Sequence, residues 1–471
     1  MRKKEEARAK KAAAQSSTNH RTTWTTAHAW LGRVSRDVAI LSCSLLLCLD
    51  VAVAQAGQLD TTFGTGGIFI THDAQAFDAA AEAIALQTDG RIVVGGEIGS
   101  LAGVLRLNIN GTLDSTFGTG GMVNVNVPSG LGGGVQVIGV AIQTDGKIVA
   151  GISTVNSDGA KAFLLARLEA NGALDSSFGG TGLVTTLPFG RQLSPTVLAL
   201  QPDGKILLAG DGAMARYDTT GQLDATFGTS GIAVLSVRPV TAIALQSNGQ
   251  ILIAGGGPAR DSFPPAPIFQ TVSIAGLISR YNSNGSIDTT FGAAGQAASV
   301  AAASAIAVQS NGKIVVAGSI IAKLAAPPTG SSAGFGLVRY NANGSIDTTF
   351  GTRGVAITVF SGAPVTEPLA LALQSNGDIL AGGVAGQMPA NASSSAPAPS
   401  SFALARYLNT GQLDTTFGSG GRVTTAFGGN TASISALAVQ SNGNIVAVGN
   451  SDTNVQGNFV NNIAVARYLG Q

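Results

Sequence analysis

The chain has 471 residues and a formal net charge of +1, and 11% of its residues are charged, against about 25% in typical globular domains. Its repeated part has no basic stripe or run, which excludes the electrostatic footprint of a nucleic-acid-binding protein. The 64 glycines and the apolar fraction of 45% predict many short β-strands joined by tight turns. They also make the chain too apolar to be a disordered one.

The first 54 residues are typical of an export segment. Basic residues precede an uncharged apolar run from Val38 to Leu49, which is too short to cross about 30 Å of hydrocarbon. A small-x-small cleavage pattern follows at residues 52–54. We therefore expect a signal peptide over residues 1–54, a mature domain over residues 55–471, and a protein secreted or held in the cell envelope. An uncleaved membrane anchor is the alternative interpretation.

Cleavage at this point would change the chemistry that the mature protein has available. Both cysteines, both tryptophans and two of the three histidines precede residue 55, which leaves His72. Zinc and copper sites need clusters of histidine and cysteine, and a Ser-His-Asp triad would have to depend on His72. We expect no metal site, no cofactor and no membrane span in the mature chain.

The first repeated element is a pair of β-rich runs around a short turn. In residues 305–318 the two runs flank Asn311-Gly312, and Asn-Gly is a strong hairpin signal because a two-residue turn needs positive φ at both positions. We interpret these residues as turn formers rather than metal ligands, since asparagine recurs among them without flanking carboxylates. The equivalent turns are Asp89-Gly90, Asp145-Gly146, Asp203-Gly204, Asn248-Gly249, Asn376-Gly377 and Asn442-Gly443.

A second hairpin follows each of the first ones. Its three-residue loop, residues 409–411 in one unit, ends in glycine, as a type I turn followed by a left-handed bulge residue requires. Counting outward from the loop places Arg406 opposite Asp414, with Tyr407 and Leu413 paired on the other face. A cross-strand pair of opposite charge stabilises a sheet by about 0.2–1 kcal/mol, and more when it is buried and bidentate.

The arginine and the aspartate of this hairpin occur seven times. Arg467 has no aspartate eight residues after it and Asp60 has no arginine eight residues before it, so we expect these two residues to form the seventh pair. Because every unit contains the pair, we interpret it as structural rather than catalytic. The six pairs within single units are Arg106 with Asp114, Arg167 with Asp175, Arg216 with Asp224, Arg280 with Asp288, Arg339 with Asp347, and Arg406 with Asp414.

The spacing of the units and the divided unit together predict the fold. Successive aspartates are 54, 61, 49, 64, 59 and 67 residues apart, a period typical of propellers or solenoids. An open solenoid needs polar capping repeats at its ends, and none is visible. A closed ring completes its last blade with a strand from the other end of the chain. The expected fold is an all-β, seven-bladed β-propeller whose closing blade takes strands from both termini.

These runs resemble a known repeat. Leu-Asp-Thr-Thr-Phe-Gly, Leu-Gln-Ser-Asn-Gly and Leu-Ala-Arg-Tyr are similar to the delta-60 repeat of exported bacterial proteins, which is assigned to a β-propeller class. The likeness extends from Gly57 to Tyr468, with leucine instead of tyrosine after Arg106 and Arg167. The resemblance implies export and a repeat architecture, and it does not imply a reaction.

The units differ most between their second and third strands. This connection is longest in three consecutive units, at 25 residues from Gly255 to Arg280, 21 from Gly318 to Arg339 and 24 from Gly382 to Arg406. We expect these segments to form one crown on one rim, although tolerated low-complexity insertions would give the same pattern. The candidate binding residues in the crown are Arg260, Asp261, Phe263, Phe269, Lys323, Phe335 and Met388.

The leading hypothesis is an exported, non-enzymatic propeller that binds a protein or a glycan through the long loops of blades 4–6. The lack of tryptophan after residue 54 favours a protein partner, because aromatic faces usually supply the contact with sugars. One alternative is a carboxylate-based hydrolase or lyase in the central channel, and another is a structural protein of a surface layer or matrix. Spacing alone brings no two of the non-repeated carboxylates together, and these are Asp78, Glu82, Glu97, Asp211, Asp261 and Glu367. The oligomeric state stays open.

Overall fold

The chain divides between residues 54 and 55 into two units. A computed structural model describes most of the second unit, namely residues 55–71, 79–128, 135–155, 161–256, 276–299, 303–323, 331–387, 398–429, 431–455 and 458–471. Within these ranges, no helix has the length and apolar character needed to cross a membrane.

The described ranges contain 28 strands in seven antiparallel sheets of four. Strand β1 (Ile68–Ile70) joins the last sheet, and each of the other sheets is built from four consecutive strands. Blade 1 comprises β2 (Ala79–Leu86), β3 (Ile92–Ile98), β4 (Leu101–Leu107) and β5 (Met122–Val125). Blade 2 comprises β6 (Gln136–Ile142), β7 (Ile148–Val155), β8 (Lys161–Leu168) and β9 (Leu183–Thr186). Blade 3 comprises β10 (Val197–Leu200), β11 (Ile206–Gly210), β12 (Ala213–Tyr217) and β13 (Ile232–Val234).

The remaining four blades repeat this order. Blade 4 comprises β14 (Val240–Leu245), β15 (Ile251–Gly256), β16 (Gly276–Tyr281) and β17 (Gln296–Ser299). Blade 5 comprises β18 (Ala303–Val308), β19 (Ile314–Lys323), β20 (Ser331–Tyr340) and β21 (Val355–Thr358). Blade 6 comprises β22 (Val365–Leu373), β23 (Ile379–Gly386), β24 (Ser400–Tyr407) and β25 (Arg422–Thr425). Blade 7 comprises β26 (Ala432–Val439), β27 (Ile445–Val455), β28 (Asn458–Tyr468) and β1.

The seven sheets form a closed ring. The first strand of each blade contacts the first strand of the next, and β26 contacts β2 to complete the circle. Strand β1 pairs with β28, with Ile68 opposite Ala466 and Ile70 opposite Ala464. The expected fold is confirmed as an all-β, seven-bladed propeller whose closing blade combines both ends of the repeat region.

The core lies between the blades rather than at the centre of the ring. In β11, Ile206 and Leu208 pack with blade 2 residues such as Val149, while Leu207 on the opposite face packs with Ile251 of blade 4. A sheet buried on both faces needs apolar residues at consecutive positions, which explains the continuous apolar runs of the second strands. Burial of each such side chain stabilises the fold by about 1.5–3 kcal/mol.

The first hairpin forms where the sequence predicts it, but its turn is of another type. Gln309 N–H donates to the Lys313 carbonyl at 2.8 Å and Gly312 N–H donates to the Gln309 carbonyl at 2.9 Å, which leaves a three-residue loop. Gly312 has φ of +80°, and Asn311 is not among the described residues with positive φ. The side chain of Asn311 instead accepts the Lys313 N–H at 3.0 Å. The expectation of a two-residue turn with two positive φ values is therefore wrong, because side-chain bonding by asparagine or aspartate supports a different loop.

Strand connectivity gives the ring two distinct faces. One face carries the connections between second and third strands and those between successive blades, and we call it the connection face. The other carries the turns between first and second strands and between third and outer strands. On the connection face of blade 5, β19 continues to Lys323 and β20 begins at Ser331. Much of the predicted long loop of that blade is therefore an extended hairpin.

Candidate functional site

The repeated arginines belong to a buried network that joins neighbouring blades. In blade 3, Arg216 Nε donates to Asp224 Oδ2 at 2.9 Å and Nη2 donates to Thr226 Oγ1 at 3.1 Å. Its Nη1 donates to the Ser283 carbonyl of blade 4. The guanidinium carbon lies 4.5 Å from the ring centroid of Phe227, a cation–π distance. One arginine thus bonds its own blade and the next one.

The same arrangement recurs in every blade. Each arginine stacks on a phenylalanine at 4.5 to 4.7 Å, and each Nη1 donates to a backbone carbonyl of the following blade. The repeated charged residues therefore make their contacts within the frame. The ion-pair distances in the other six blades are 2.8 Å for Arg106–Asp114, 2.6 Å for Arg167–Asp175, 2.7 Å for Arg280–Asp288, 2.7 Å for Arg339–Asp347, 2.7 Å for Arg406–Asp414 and 2.9 Å for Arg467–Asp60.

Most of the aspartates in this network also contact the side chain that follows the first-hairpin glycine of their blade. Burial alone would raise the pKa of Asp175, but hydrogen bonds from Lys147 and Ser177 and from the paired arginine hold that pKa well below its usual range. Lys147 occupies the position after the first-hairpin glycine and lies 2.7 Å from Asp175. In blade 6 that position holds Asp378, which accepts from Asn376 at 2.8 Å. Blade 6 therefore has an acidic residue where blades 1, 2, 3 and 5 have a basic one.

One position on the inner strands differs strongly between blades. It lies eight residues before the first-hairpin glycine, and in six of the seven described inner strands the pairing register shifts there. Such bulges re-aim side chains and are common next to binding sites. The residues at this position are Glu82, Ile138, Thr196, Thr241, Ser304, Leu369 and Ser435.

Five of these residues line a cavity of about 350 Å³ at the centre of the ring, a volume within the range of small-ligand pockets. The cavity lies towards the connection face, because residues 194–197 lead into the inner strand of blade 3 and Ser153 lies in the later part of β7. Among the residues that line it, Glu82 is the charged one. The others are Gln136, Ile138, Ser153, Ser194, Pro195, Thr196, Val197, Thr241 and Ser435.

Glu82 has an unusual electrostatic environment. Burial raises the pKa of its carboxyl group, and the negative charge of Glu97 raises that pKa further. Glu97 pairs with Ala80 in the neighbouring strand, so the two carboxylates belong to one hairpin. Pairing residues outward from the Asp89-Gly90 turn predicts that these two carboxylates lie near each other. Their separation along the chain does not predict this by itself.

The other non-repeated carboxylates do not join this pair in the described structure. Asp211 follows β11 and accepts the Ser194 N–H at 2.8 Å, which fixes a segment at the cavity wall. Glu367 lies on β22 and is exposed. Asp78 and Asp261 lie outside the described residues, as does His72.

Most of the predicted crown also lies outside the described residues, with the exceptions of Lys323 and Phe335. Lys323 is the last residue of β19. Phe335 belongs to β20, is fully buried and packs edge-to-face on Phe360 with ring centroids 5.0 Å apart. Phe335 is therefore a core residue rather than a surface contact, because the hairpin of blade 5 continues further than predicted. The crown residues not described are Arg260, Asp261, Phe263, Phe269 and Met388.

A family model described as a domain of unknown function (DUF5122) beta-propeller matches five segments, residues 87–117, 143–178, 201–227, 273–291 and 309–350. Each segment ends at the phenylalanine on which the arginine of its blade stacks. The protein is a β-propeller repeat protein. The narrower resemblance of this propeller to the delta-60 repeat stays a prediction.

Several solved structures are similar to this one at low sequence identity. The extracellular domain of a hybrid two-component system protein from B. thetaiotaomicron is 14% identical, with 86% of this chain and 41% of that chain covered and a TM-score of 0.35. A protein of unknown function from Dyadobacter fermentans is 11% identical, with 86% and 98% covered and a TM-score of 0.43. The Nup133 β-propeller domain from Vanderwaltozyma polyspora is 8% identical, with 85% and 100% covered and a TM-score of 0.38. No curated protein matches the sequence.

Proposed function

We propose that this propeller is an exported, non-enzymatic binding module that engages a protein or glycan partner on its connection face. The observation that carries the proposal is that repeated residues form the frame, whereas non-repeated residues line the cavity. The repeated arginines and aspartates, apart from the half-buried Asp224, are buried, and they are bonded within the frame, so they are not free to contact a partner. Five residues at a position that differs between blades instead line the cavity.

A rigid frame with variable connections suits recognition. Binding residues are found disproportionately on loops that a rigid scaffold positions, and a site held by a well-packed support is the more selective. Here, an arginine of each blade donates a hydrogen bond to the next blade. Backbone hydrogen bonds also join consecutive blades, such as that from Gly228 N–H to the Asn284 carbonyl at 2.7 Å. We propose the long connections of blades 4–6 as the contact surface on this frame.

The enzymatic alternative receives less support. Most glycoside hydrolases need two carboxylates that flank the scissile bond, and the residues that line the cavity supply one, Glu82. Glu97 influences Glu82 but is not among those lining residues. The binding function is therefore preferred over hydrolysis.

The experiment that tests the proposal compares two forms of the protein as bait in envelope and culture-supernatant extracts. In one form, short glycine-serine turns replace residues 257–275, 324–330 and 388–397, which keeps all seven described sheets intact. A matched control carries Ile109→Ser, since Ile109 is 59% exposed on the opposite face. A partner retained by the control and lost by the shortened form supports the proposal. Equal capture by both forms, or no capture by either, would overturn it, and capture of the protein itself would favour a surface-layer role.

A further inference from the structure

We propose that the cavity at the centre of the ring binds a primary ammonium group, held by the carboxylate of Glu82. This site goes beyond the proposed contact surface, because its lining residues belong to inner strands, to β7 and to the segment before β10 rather than to the long connections of blades 4–6. The ammonium group would come either from a lysine side chain of a protein partner or from a free alkylamine.

Four of the other six blades have a hydroxyl residue at the position of Glu82, and two of them show what that hydroxyl does. Thr196 Oγ1 donates to the Val240 carbonyl of the next blade at 2.8 Å, and Ser304 Oγ donates to the Pro368 carbonyl of the next blade. A hydroxyl at this position therefore joins consecutive inner strands by a hydrogen bond. An ionised carboxylate has no proton to donate, so Glu82 gives up this stabilising bond. Ile138 and Leu369 also lack the hydroxyl at this position, but Glu82 alone among the seven residues carries a charge, and a departure of this kind from a repeat points to a function.

Two hydroxyl groups of the cavity also favour a ligand that donates hydrogen bonds. Thr196 and Thr241 have already directed their hydroxyl protons to backbone carbonyls, those of Val240 and Ala303 respectively. Their oxygens can then act towards the cavity only as acceptors. Together with the Glu82 carboxylate, they present negative charge and lone pairs to the cavity.

A primary ammonium group matches this lining. It brings one positive charge and three N–H donors on a narrow stem, and Ile138, Pro195 and Val197 offer apolar contacts to the stem. A charge-assisted hydrogen bond to a carboxylate is about twice as strong as a neutral one. Calcium is poorly suited, because it needs six to eight oxygen ligands, typically with several carboxylates.

The test measures binding of n-butylammonium chloride to the full chain by titration calorimetry, with n-butanol as the neutral analogue and potassium chloride at equal concentration. We expect n-butylammonium to bind and n-butanol and potassium to fail. Glu82→Gln and Glu82→Thr should each weaken binding at least tenfold. Glu367→Gln removes the same charge from an exposed position on another inner strand and should change the affinity less than twofold.

A capped Ala-Ala-Lys-Ala-Ala peptide separates the two sources of the ammonium group. Binding of the peptide at least as tight as that of n-butylammonium indicates a lysine side chain on a partner, and exclusion of the peptide indicates a free amine. The Glu82→Thr variant introduces the hydroxyl that blades 3, 4, 5 and 7 have at this position, so it should keep or raise the melting temperature while it loses the ligand. Binding that is unchanged in folded Glu82→Thr protein, or displaced equally by potassium, would overturn the inference. The variant with shortened connections should retain n-butylammonium binding, so failure of the partner experiment and failure of this one are distinguishable.

Discussion

The closing blade depends on an ion pair between residues that lie at opposite ends of the repeat region. Arg467 Nε donates to Asp60 Oδ2 at 2.9 Å, and Nη2 donates to Thr62 Oγ1 at 3.1 Å. Its Nη1 donates to the Ile109 carbonyl of blade 1, and its guanidinium carbon lies 4.7 Å from the centroid of Phe63. We predict that Arg467→Ala destabilises the whole ring.

The structure sets the expected size of this effect. Asp60 is 7% exposed, and removal of one partner of a buried ion pair costs about 3–5 kcal/mol. Asp60 would keep hydrogen bonds from Thr62 at 2.6 Å and from Asn444 at 3.1 Å, which places the expected loss near the lower limit, at about 3 kcal/mol. A loss of that size is a large fraction of a typical unfolding free energy of about 5–15 kcal/mol.

The assay is chemical denaturation of the wild type, Arg467→Ala, Asp60→Ala and the double variant. A double-mutant cycle should give a coupling energy of about 1–3 kcal/mol. The matched control is the same cycle on Arg280 and Asp288, which pair at 2.7 Å within the continuous chain of blade 4. Hydrogen exchange at residues 68–70 should accelerate in Arg467→Ala, because β1 is joined to β28 only by non-covalent contacts.

Two results would refute this reasoning. A loss in Arg467→Ala below about 1 kcal/mol would mean that the pair behaves like an exposed one. Hydrogen exchange of β1 that accelerates equally in Arg280→Ala would mean that the divided blade has no special dependence on its ion pair.

Three further predictions concern charge. Asp378→Lys should stabilise the protein by about 0.5–1 kcal/mol in thermal melts, because it would give Asp414 the second cation that the aspartates of blades 1, 2, 3 and 5 have. The unfolding free energy should fall as pH drops below about 4. Lys313, Thr349 and Arg339 hold the pKa of Asp347 low in the folded protein despite its burial. The unfolded chain therefore takes up the proton at a higher pH than the folded protein does. Glu82→Gln should raise the melting temperature at pH 7 and have no effect at pH 3, because a raised carboxyl pKa means that ionisation destabilises the folded state.

Each of these predictions has a matched control. Lys313→Asp makes the reverse change in blade 5 and should destabilise the protein, so a gain there would contradict the account of Asp378. Asp347→Asn should flatten the acid dependence of stability, and an unchanged slope would show that the aspartate network is not its source. Glu367→Gln should leave the melting temperature unchanged at both pH values, and an equal rise in that variant would remove the special role of Glu82.

Local patterns determined the frame, since each of its contacts is encoded within a few residues. Eight residues separate Arg406 from Asp414 and three loop residues reverse the chain between them, so the Nε–Oδ2 bond of 2.8 Å follows from hairpin counting. The same count joined Arg467 to Asp60 and predicted the closed ring. Hairpin counting did not reveal that each guanidinium also reaches a carbonyl of the next blade, because that contact crosses between units.

Features that depend on neighbouring side chains were less predictable. The loop type at Asn311 follows from a side-chain hydrogen bond that competes with the two-residue turn, and the burial of Phe335 follows from how far β19 and β20 continue their pairing. Both outcomes are decided by small differences in local free energy that a repeat pattern does not record.

The amino-acid sequence by itself determined that this protein is a seven-bladed ring divided at its closing blade, because seven copies of one short-range pattern leave few ways to bury their apolar faces. Only the tertiary structure decided which residues meet at the centre. Glu82, Thr196, Thr241 and Ser435 line one cavity although they come from four blades and are far apart in the chain. Closure of the ring brings them together, and no local pattern encodes a meeting that depends on all seven blades.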